Sequence, residues 1–477
     1  MTRHPRRLAP LVLAALAGCA AVGPDYQRPA VALPAAFSQT DATSDSSAST
    51  VPADWWRLYD DVELTRLETQ ALASNATIEQ AVARVEFATA QLREAGGAFL
   101  PRLDGNASAA RQQSSALSLG NPTGRSFTGN GFALSLSTSY EIDFWGKLRR
   151  TDEAARAALL ASAASRDTVR LTVAGAVAQN WFLLRSLDAQ IDATRRTLQS
   201  RQDGLRVFQE RLKAGVGSRL DVQQAEILRA DSATLLRDLQ RQRALTVSQL
   251  GVLSGEPGLT VPPQPLAATE LPPLPPPGLP SSLLERRPDL RAAEAQLAAA
   301  NAQIGVARAN QLPSVSLTGA FGQQSTDLGD LLNAPARFWS IGIGLVAPIF
   351  DGGRLAARTE QAQARQREAT GAYRATAQTA FKEVADALAN LRAARESAVD
   401  VQSRDRAARD ALQLAKARFD AGYSGNIELL DAQRTATAAE LVVISNRQQQ
   451  LNASVDLLKA LGGGWQTPEG SLPAAQR

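Results

Sequence analysis

Residues 214–221 read AGVGSRLD and residues 421–428 read AGYSGNIE, so a related eight-residue stretch recurs 207 positions later. Gly146 and Gly353 match at the same offset, and further pairs match upstream at an offset of 212. Self-similarity over so much of a chain indicates one structural unit that occurs twice. The change in offset predicts a longer loop in the first copy.

These matches divide the chain into two tandem repeats, which we place at residues 61–255 and 281–465. A Pro-rich stretch at 256–280 is expected to link them. Residues 19–60 are expected to form a lipid-anchored extended N-terminal segment, since residues 30–50 are rich in Ala, Ser, Thr and Pro. Residues 466–477 are expected to form a C-terminal tail.

The N-terminus has the features of an export signal. Arginines precede an apolar stretch at residues 8–17, which ends in Leu-Ala-Gly-Cys at residues 16–19. This predicts a signal peptide at 1–18. Its end matches the bacterial lipobox, so we expect lipid on Cys19, with Ala20 favouring the outer membrane by resemblance to other lipoproteins. The alternative is an ordinary signal peptide with a chance cysteine.

The scarce residue types argue against most enzymes. The chain contains one His, His4, and one Cys, Cys19, both at the N-terminus. Catalytic triads, zinc sites of the usual kind and redox cysteine pairs are therefore excluded, and we expect no enzyme and no cofactor beyond a covalent lipid on Cys19. Without the three leader arginines the net charge falls from +4 to +1, so no nucleic-acid partner is expected.

Long proline-free stretches predict long helices. No proline occurs between Pro122 and Pro257 or between Pro348 and Pro468. Because proline costs about 3 kcal/mol in a helix interior, these gaps leave room for helices of unusual length. The predicted long helices are 147–213, 218–254, 354–420 and 426–461.

Apolar residues in these helices recur in alternating steps of three and four, which is typical of helices paired as in coiled coils. One such series is Leu184, Leu187, Ile191, Thr194 and Leu198. In the last helix the series is Ile427, Leu430, Arg434, Thr437, Leu441, Ile444, Gln448, Leu451, Val455 and Leu458.

Four segments alternate between apolar and polar residues. The clearest begins Phe132, Leu134 and Leu136, with serines in between. Each segment is near the 9–11 residues of a tilted transmembrane strand, although a strand on a soluble core would look the same. We predict strands at 102–112, 130–144, 313–324 and 337–350.

Four strands cannot close into a barrel. In lipid every edge N–H and C=O group must be paired, so a spanning sheet of four strands requires further copies of the chain. A dimer would supply eight strands and a trimer twelve, which is wide enough for a bore. A soluble coiled-coil rod is the rival interpretation, but it leaves the strands unexplained.

Four motifs in order resemble the TolC-like outer-membrane efflux channels, in their NodT-type lipoprotein branch. They are PDYQRP at 24–29, LLERRPD at 283–289, LLDAQR at 429–434 and KALGGGW at 459–465. The resemblance covers nearly the whole chain.

This resemblance implies a mainly α-helical protein with a transmembrane β-barrel. It further implies a homotrimer whose twelve-stranded barrel continues into a twelve-helix periplasmic α-barrel. Such proteins sit in the outer membrane, lipid-anchored, as the passive exit duct for drugs or other toxic small solutes. Their partners are a periplasmic adaptor (membrane fusion) protein and an inner-membrane RND-type transporter. Alternatives are type I protein secretion, metal-ion efflux, a structural lipoprotein or adhesin, and a barrel enzyme.

The second turn resembles the family's periplasmic tip. Glu428 and Asp431 lie three residues apart, on one helix face, and three copies would ring a pore with acids. Asp221 is the corresponding acid of the first repeat. We predict these three residues as a gate that favours cations, while the alternative for Asp221 and Glu428 is helix capping.

The family's lock residues are not carried over. Some relatives lock the tip with an Arg and a Tyr, and the matching positions here are Ser424 and Phe419. Arg219, Arg418 or another arginine is left as a substitute.

Overall fold

The structure is a computed structural model that describes residues 21–32, 34, 37, 51–117, 126–264, 271–273 and 283–464. The predicted signal peptide, Cys19, Trp465 and the tail at 466–477 lie outside the described residues, as does most of the linker after residue 264. The first described elements are a short 3-10 helix at Trp55–Tyr59 and the helix α1, Val62–Ser74.

Both repeats have the same order of elements: a helix, two strands and two long helices. The first comprises α2 (Ala76–Gly97), β1 (Arg102–Ser114), β2 (Phe127–Ile142), α3 (Lys147–Lys213) and α4 (Arg219–Ser254). A short helix α5 (Leu283–Arg286) precedes the second, which comprises α6 (Pro288–Ala309), β3 (Ser314–Ser325), β4 (Arg337–Val346), α7 (Arg354–Asp420) and α8 (Asn426–Ala460).

The strands form one antiparallel sheet in the order β1-β2-β3-β4. Leu136 lies opposite Gly105 on one side and Phe321 on the other, and Phe321 lies opposite Trp339. The two middle strands come from different repeats, so the sheet joins the repeats. Among the described strands, β1 and β4 each pair on one side only.

The chain forms two compact units that cut across the repeats. Of the described residues, the first unit contains 21–30, 84–117, 126–162 and 292–373, and the second contains the others. Each unit takes residues from both repeats, because the strands of both repeats share one sheet and because α3 and α7 each contribute residues to both units. The repeats are therefore units of sequence rather than of packing.

In the first unit, a salt bridge and hydrogen bonds hold residues 21–30 against the helix α6. Arg28 makes a bidentate salt bridge with Glu294, both bonds 2.7 Å long. Tyr26 donates a hydrogen bond to the same carboxylate, and Asn301 Nδ2 donates to the Pro24 carbonyl at 2.8 Å. A Cβ on Gly23 would lie 2.6 Å from Gly305 Cα, so this contact requires glycine.

In the second unit, aromatic and aliphatic side chains form a core that includes Trp55, Leu64, Trp181 and Phe182. Asp61 caps α1 and accepts a 2.7 Å hydrogen bond from Trp181 Nε1. Glu68 is fully buried, and neither of its oxygens has a hydrogen-bond partner in the described part of the chain.

In this unit, an arginine of the LLERRPD motif connects three helices. Arg287 donates to Asp289 at 2.7 Å, to Glu383 at 2.6 Å and to the Ala460 carbonyl at 3.0 Å. It thus joins the start of α6, the middle of α7 and the end of α8. Over the described residues, none of the helices combines the length and hydrophobicity that a membrane span needs.

Candidate functional site

The two repeated stretches form equivalent turns between long helices. Gly215 and Gly422 occupy the same position in their turns, with φ of 75° and 78°. Glycine adopts this left-handed conformation without the steric cost that a Cβ brings, and it commonly ends helices.

Asp221 caps α4 and also reaches the second turn. The Ser218 N–H donates to Asp221 Oδ2 at 3.4 Å and the Leu220 N–H donates to Ser218 Oγ at 3.1 Å, which completes a capping box. Asn426 Nδ2 donates to Asp221 Oδ1 at 3.5 Å. Asp221 therefore links the two turns of one chain while it stabilises a helix start.

Glu428 and Asp431 are both paired with arginines and both remain open to solvent in the single chain. Glu428 lies 3.0 Å from Arg418 across its own hairpin, and Asp431 lies 2.7 Å from Arg434 one turn later. Their side chains are 46% and 61% exposed. The N-cap of α8 is Gly425, which has no side-chain capping bond, so the Glu428 carboxylate binds Arg418 instead.

The two lock positions hold a different arrangement. The Phe419 ring packs edge-on against Phe208 at 5.9 Å between centroids, and the Arg211 guanidinium lies 5.0 Å from the Phe419 centroid. The Ser424 hydroxyl is buried and has no hydrogen-bond partner among the described residues. The role of Arg211 could not be predicted from the sequence, because its contact depends on how two hairpins meet.

The sheet has one apolar and one polar face. On β4 the apolar side chains are strongly exposed in the single chain, with Ile341 at 82% and Trp339 at 73%. The registers place Leu136, Leu317 and Phe321 on the same face. A broad exposed apolar surface of this kind marks contact with a membrane or a partner.

The opposite face carries small polar residues, notably Ser135, Ser137, Ser316 and Ser340. Glycine also lies on this face. A Cβ on Gly322 would come within 2.4 Å of the Leu134 carbonyl oxygen, so only glycine fits there. Most side chains that β2, β3 and β4 place on this face are small, although Phe338 and Glu141 also belong to it.

Within the described residues, no three His, Cys, Asp or Glu side chains are grouped so that they could hold a metal ion.

Comparison with known proteins identifies relatives over nearly the full length. The family model described as "Outer membrane efflux protein" matches residues 67–256 and, a second time, 279–463. The chain is 36% identical to the outer membrane protein OprJ of Pseudomonas aeruginosa over 95% of each chain. It is 35% identical to the toluene efflux pump outer membrane protein TtgF of Pseudomonas putida, over 94% of this chain and 95% of the relative.

A third relative is the cation efflux system protein CusC of Escherichia coli, 34% identical over 97% of this chain and 99% of the relative. Among solved structures, the Campylobacter jejuni CmeC outer membrane channel superimposes with a TM-score of 0.89 at 28% identity. That match covers 95% of this chain and 97% of the channel.

Proposed function

This chain belongs to the outer membrane efflux protein family, and from that premise we propose that three copies form the outer-membrane exit duct of a tripartite pump. The observation that carries the proposal is the two-faced sheet with unpaired edges. Its apolar face suits lipid and its small polar face suits a water-filled bore.

The open edges support assembly from several copies. Strand β1 of one copy would pair with β4 of the next, so that no backbone group remains unpaired in lipid. Three copies of four strands give twelve, which is wide enough for a passage. The paired helices would continue this wall into the periplasm.

We further propose that lipid on Cys19 anchors the chain. Ala21 lies against Gly146, where a Cβ would approach the Ala21 side chain to 2.5 Å. Gly146 lies four residues after the end of β2, and an acyl chain two residues before Ala21 would therefore start near the end of the sheet. Multiple acyl chains suffice for stable anchoring.

The cargo we propose is small, toxic organic solutes, in keeping with the relative named for toluene efflux. The energy and the choice of cargo would come from an inner-membrane RND-type transporter, joined through a periplasmic adaptor. A relative named for cation efflux makes metal ions the second candidate. Protein secretion is not favoured by the relatives.

Glu428, Asp431 and Asp221 are the proposed gate. Around a threefold axis the first two would form rings of acid that narrow the bore and attract cations, while Arg418 and Arg434 partly neutralise them. Asp221 would hold the two turns together through Asn426.

The duct and its gate are tested separately. Electron microscopy of the detergent-purified chain should give threefold particles, and a monomer or a twofold particle would refute the assembly. In planar bilayers, Glu428→Ala combined with Asp431→Ala should raise conductance and lower cation preference, whereas Asp238→Ala, an exposed acid paired with Arg241, should not. Unchanged currents in the double variant would remove both residues from the gate.

A further inference from the structure

A cavity of about 910 Å³ lies between the two long helix pairs of one chain, wholly within the second compact unit. All four helices line it, with α3 contributing the largest share. Drug-sized molecules bind in cavities of roughly 300–1,000 Å³. The space is therefore large enough for an organic ligand.

Contacts between the helix pairs border this cavity at both ends. Nearer the turns, Phe208 of α3 packs against Phe419 of α7. Farther from the turns, Arg196 of α3 lies 2.9 Å from Glu440 of α8. The cavity occupies the space between the helix pairs from one of these contacts to the other.

The floor of the cavity is apolar and its rim is positive. Leu205, Phe208 and Leu429 are buried side chains of the floor. At the rim, Arg195 and Lys416 make no salt bridge with any residue that the structure describes. Two other charges of the lining are compensated, since Arg196 binds Glu440 and Asp203 accepts hydrogen bonds from Gln199 and Arg206. The remaining acid of the lining is Asp420, which makes no salt bridge within the described chain.

Arg201 has an unused donor at this cavity. Its Nη1 donates to the Leu228 carbonyl at 2.8 Å, but its Nε is buried and has no hydrogen-bond partner in the described part of the chain. Burial also lowers the pKa of the Arg201 guanidinium. A buried N–H without an acceptor is costly, and an anionic group beside the guanidinium would supply an acceptor and add to the charge of Asp231, the nearby carboxylate that partly offsets the effect of burial.

We propose that this cavity binds an organic anion that joins an aromatic or aliphatic body to one carboxylate or sulfonate group. The body packs on Leu205, Phe208 and Phe419, and the anionic group binds Arg201 with Arg195 and Lys416 nearby. The proposal concerns the helical wall of a single chain and does not depend on the assembly or the gate proposed above.

Two probes that differ only in charge test it on the full chain in an uncharged detergent. They are 8-anilino-1-naphthalenesulfonate and N-phenyl-1-naphthylamine, which is the same ring system without the sulfonate. Fluorescence titrations, corrected for micelles alone, should give saturable binding that is tighter for the sulfonate. Arg201→Gln should weaken binding of the sulfonate roughly tenfold and leave the neutral probe unchanged, since a charge-assisted hydrogen bond is lost. The control Arg241→Gln, at an exposed arginine of α4, should change neither.

A second variant fills the cavity without disturbing the fold. Gly204 lines the cavity, and a Cβ there would meet no atom within 4 Å. Gly204→Leu should abolish binding of both probes, whereas Gly371→Leu, an equally unobstructed helical glycine outside the cavity, should not. Circular dichroism checks that each variant is folded. Undiminished sulfonate binding in Gly204→Leu would overturn the site, and equal binding by wild type and Arg201→Gln would overturn the anion.

Discussion

Single buried charges in this chain occur in two opposite settings. Arg287 is buried with three acceptors around it, and its hydrogen bonds hold three helices. Glu68 is buried with no partner in the described chain, and burial raises its pKa well above the ordinary value of 4.5. The first charge is compensated in the folded state, whereas the second carboxyl is stabilised in its neutral form.

Glu68 makes the stability of the second unit depend on pH. Because its folded-state pKa is raised, the group's contribution is full below pH 4.5 and is lost as the pH rises through the folded-state pKa. Glu68→Gln should therefore raise the free energy of unfolding at pH 7 and flatten its decline above pH 4.5. Denaturant unfolding followed by circular dichroism at several pH values measures both effects. Glu86→Gln, an exposed acid of α2, is the control, and an equally steep decline in the Glu68 variant would contradict the assignment.

At the scale of elements, the N-terminal segment of residues 21–30 behaves as part of the first unit although it has no regular secondary structure. One carboxylate, Glu294, holds both Arg28 and Tyr26. This arrangement also accounts for the PDYQRP motif, since Asp25 of the same motif forms a 2.7 Å salt bridge with Arg150.

Removing that carboxylate should release the segment. In Glu294→Ala, chymotrypsin should cut after Tyr26 roughly tenfold faster, because charge-assisted hydrogen bonds contribute about 1.5–3 kcal/mol. Mass spectrometry of the intact chain follows the loss of the N-terminal peptide. Glu285→Ala, an exposed acid on α5, should leave the rate at the wild-type value. Equal rates in both variants would show that the other contacts hold the segment alone.

Helix bounds were predictable to a much greater degree than helix faces. The proline-free stretches correctly predicted α3 and α7 as single helices of 67 residues. The predicted seam of α3 is confirmed at Leu184, Leu187 and Ile191, which are buried. In the first half of α8 the predicted series is not the buried face of the single chain, since Ile427 is 68% exposed and the buried positions include the small residues Ala436 and Ala439.

The reason is that hydrophobicity alone does not choose the inward face of α8. Ala436 and Ala439 pack with Ala408 because small side chains let two helices approach closely. The gate shows the same limit. The spacing of Glu428 and Asp431 can be read from the sequence. Arg418 was a candidate for the missing lock arginine beside Asp221, but it pairs with Glu428. The contact of Arg211 with Phe419 was not predicted.

At the scale of the whole molecule, neighbouring residues of one strand lie on faces of the sheet that differ in polarity. Ser340 and Ile341 are neighbours on β4 and lie on opposite faces. In the proposed barrel the serine faces water and the isoleucine faces lipid. The family match over both repeats agrees with a sheet in which each repeat contributes one pair of strands.

A bulky residue should therefore act differently at these two positions. The background carries Glu428→Ala and Asp431→Ala, so that the gate does not dominate the electrical resistance. In this background, Ser340→Trp should reduce single-channel conductance to about half or less, because three indole rings would enter the bore. Ile341→Trp should leave conductance close to that of the background, because tryptophan is accepted where a strand meets lipid. Equal conductance in the two variants would place both residues outside the passage.

The pairing of β2 with β3 also constrains how the protein is made. A ribosome finishes the first repeat while the strand that must lie beside β2 is still more than 50 residues from synthesis. Until β3 is made, one edge of β2 therefore has no partner strand. Because an unpaired strand edge favours aggregation, we expect a chain that terminates after the first repeat to misfold rather than to act as a smaller working protein.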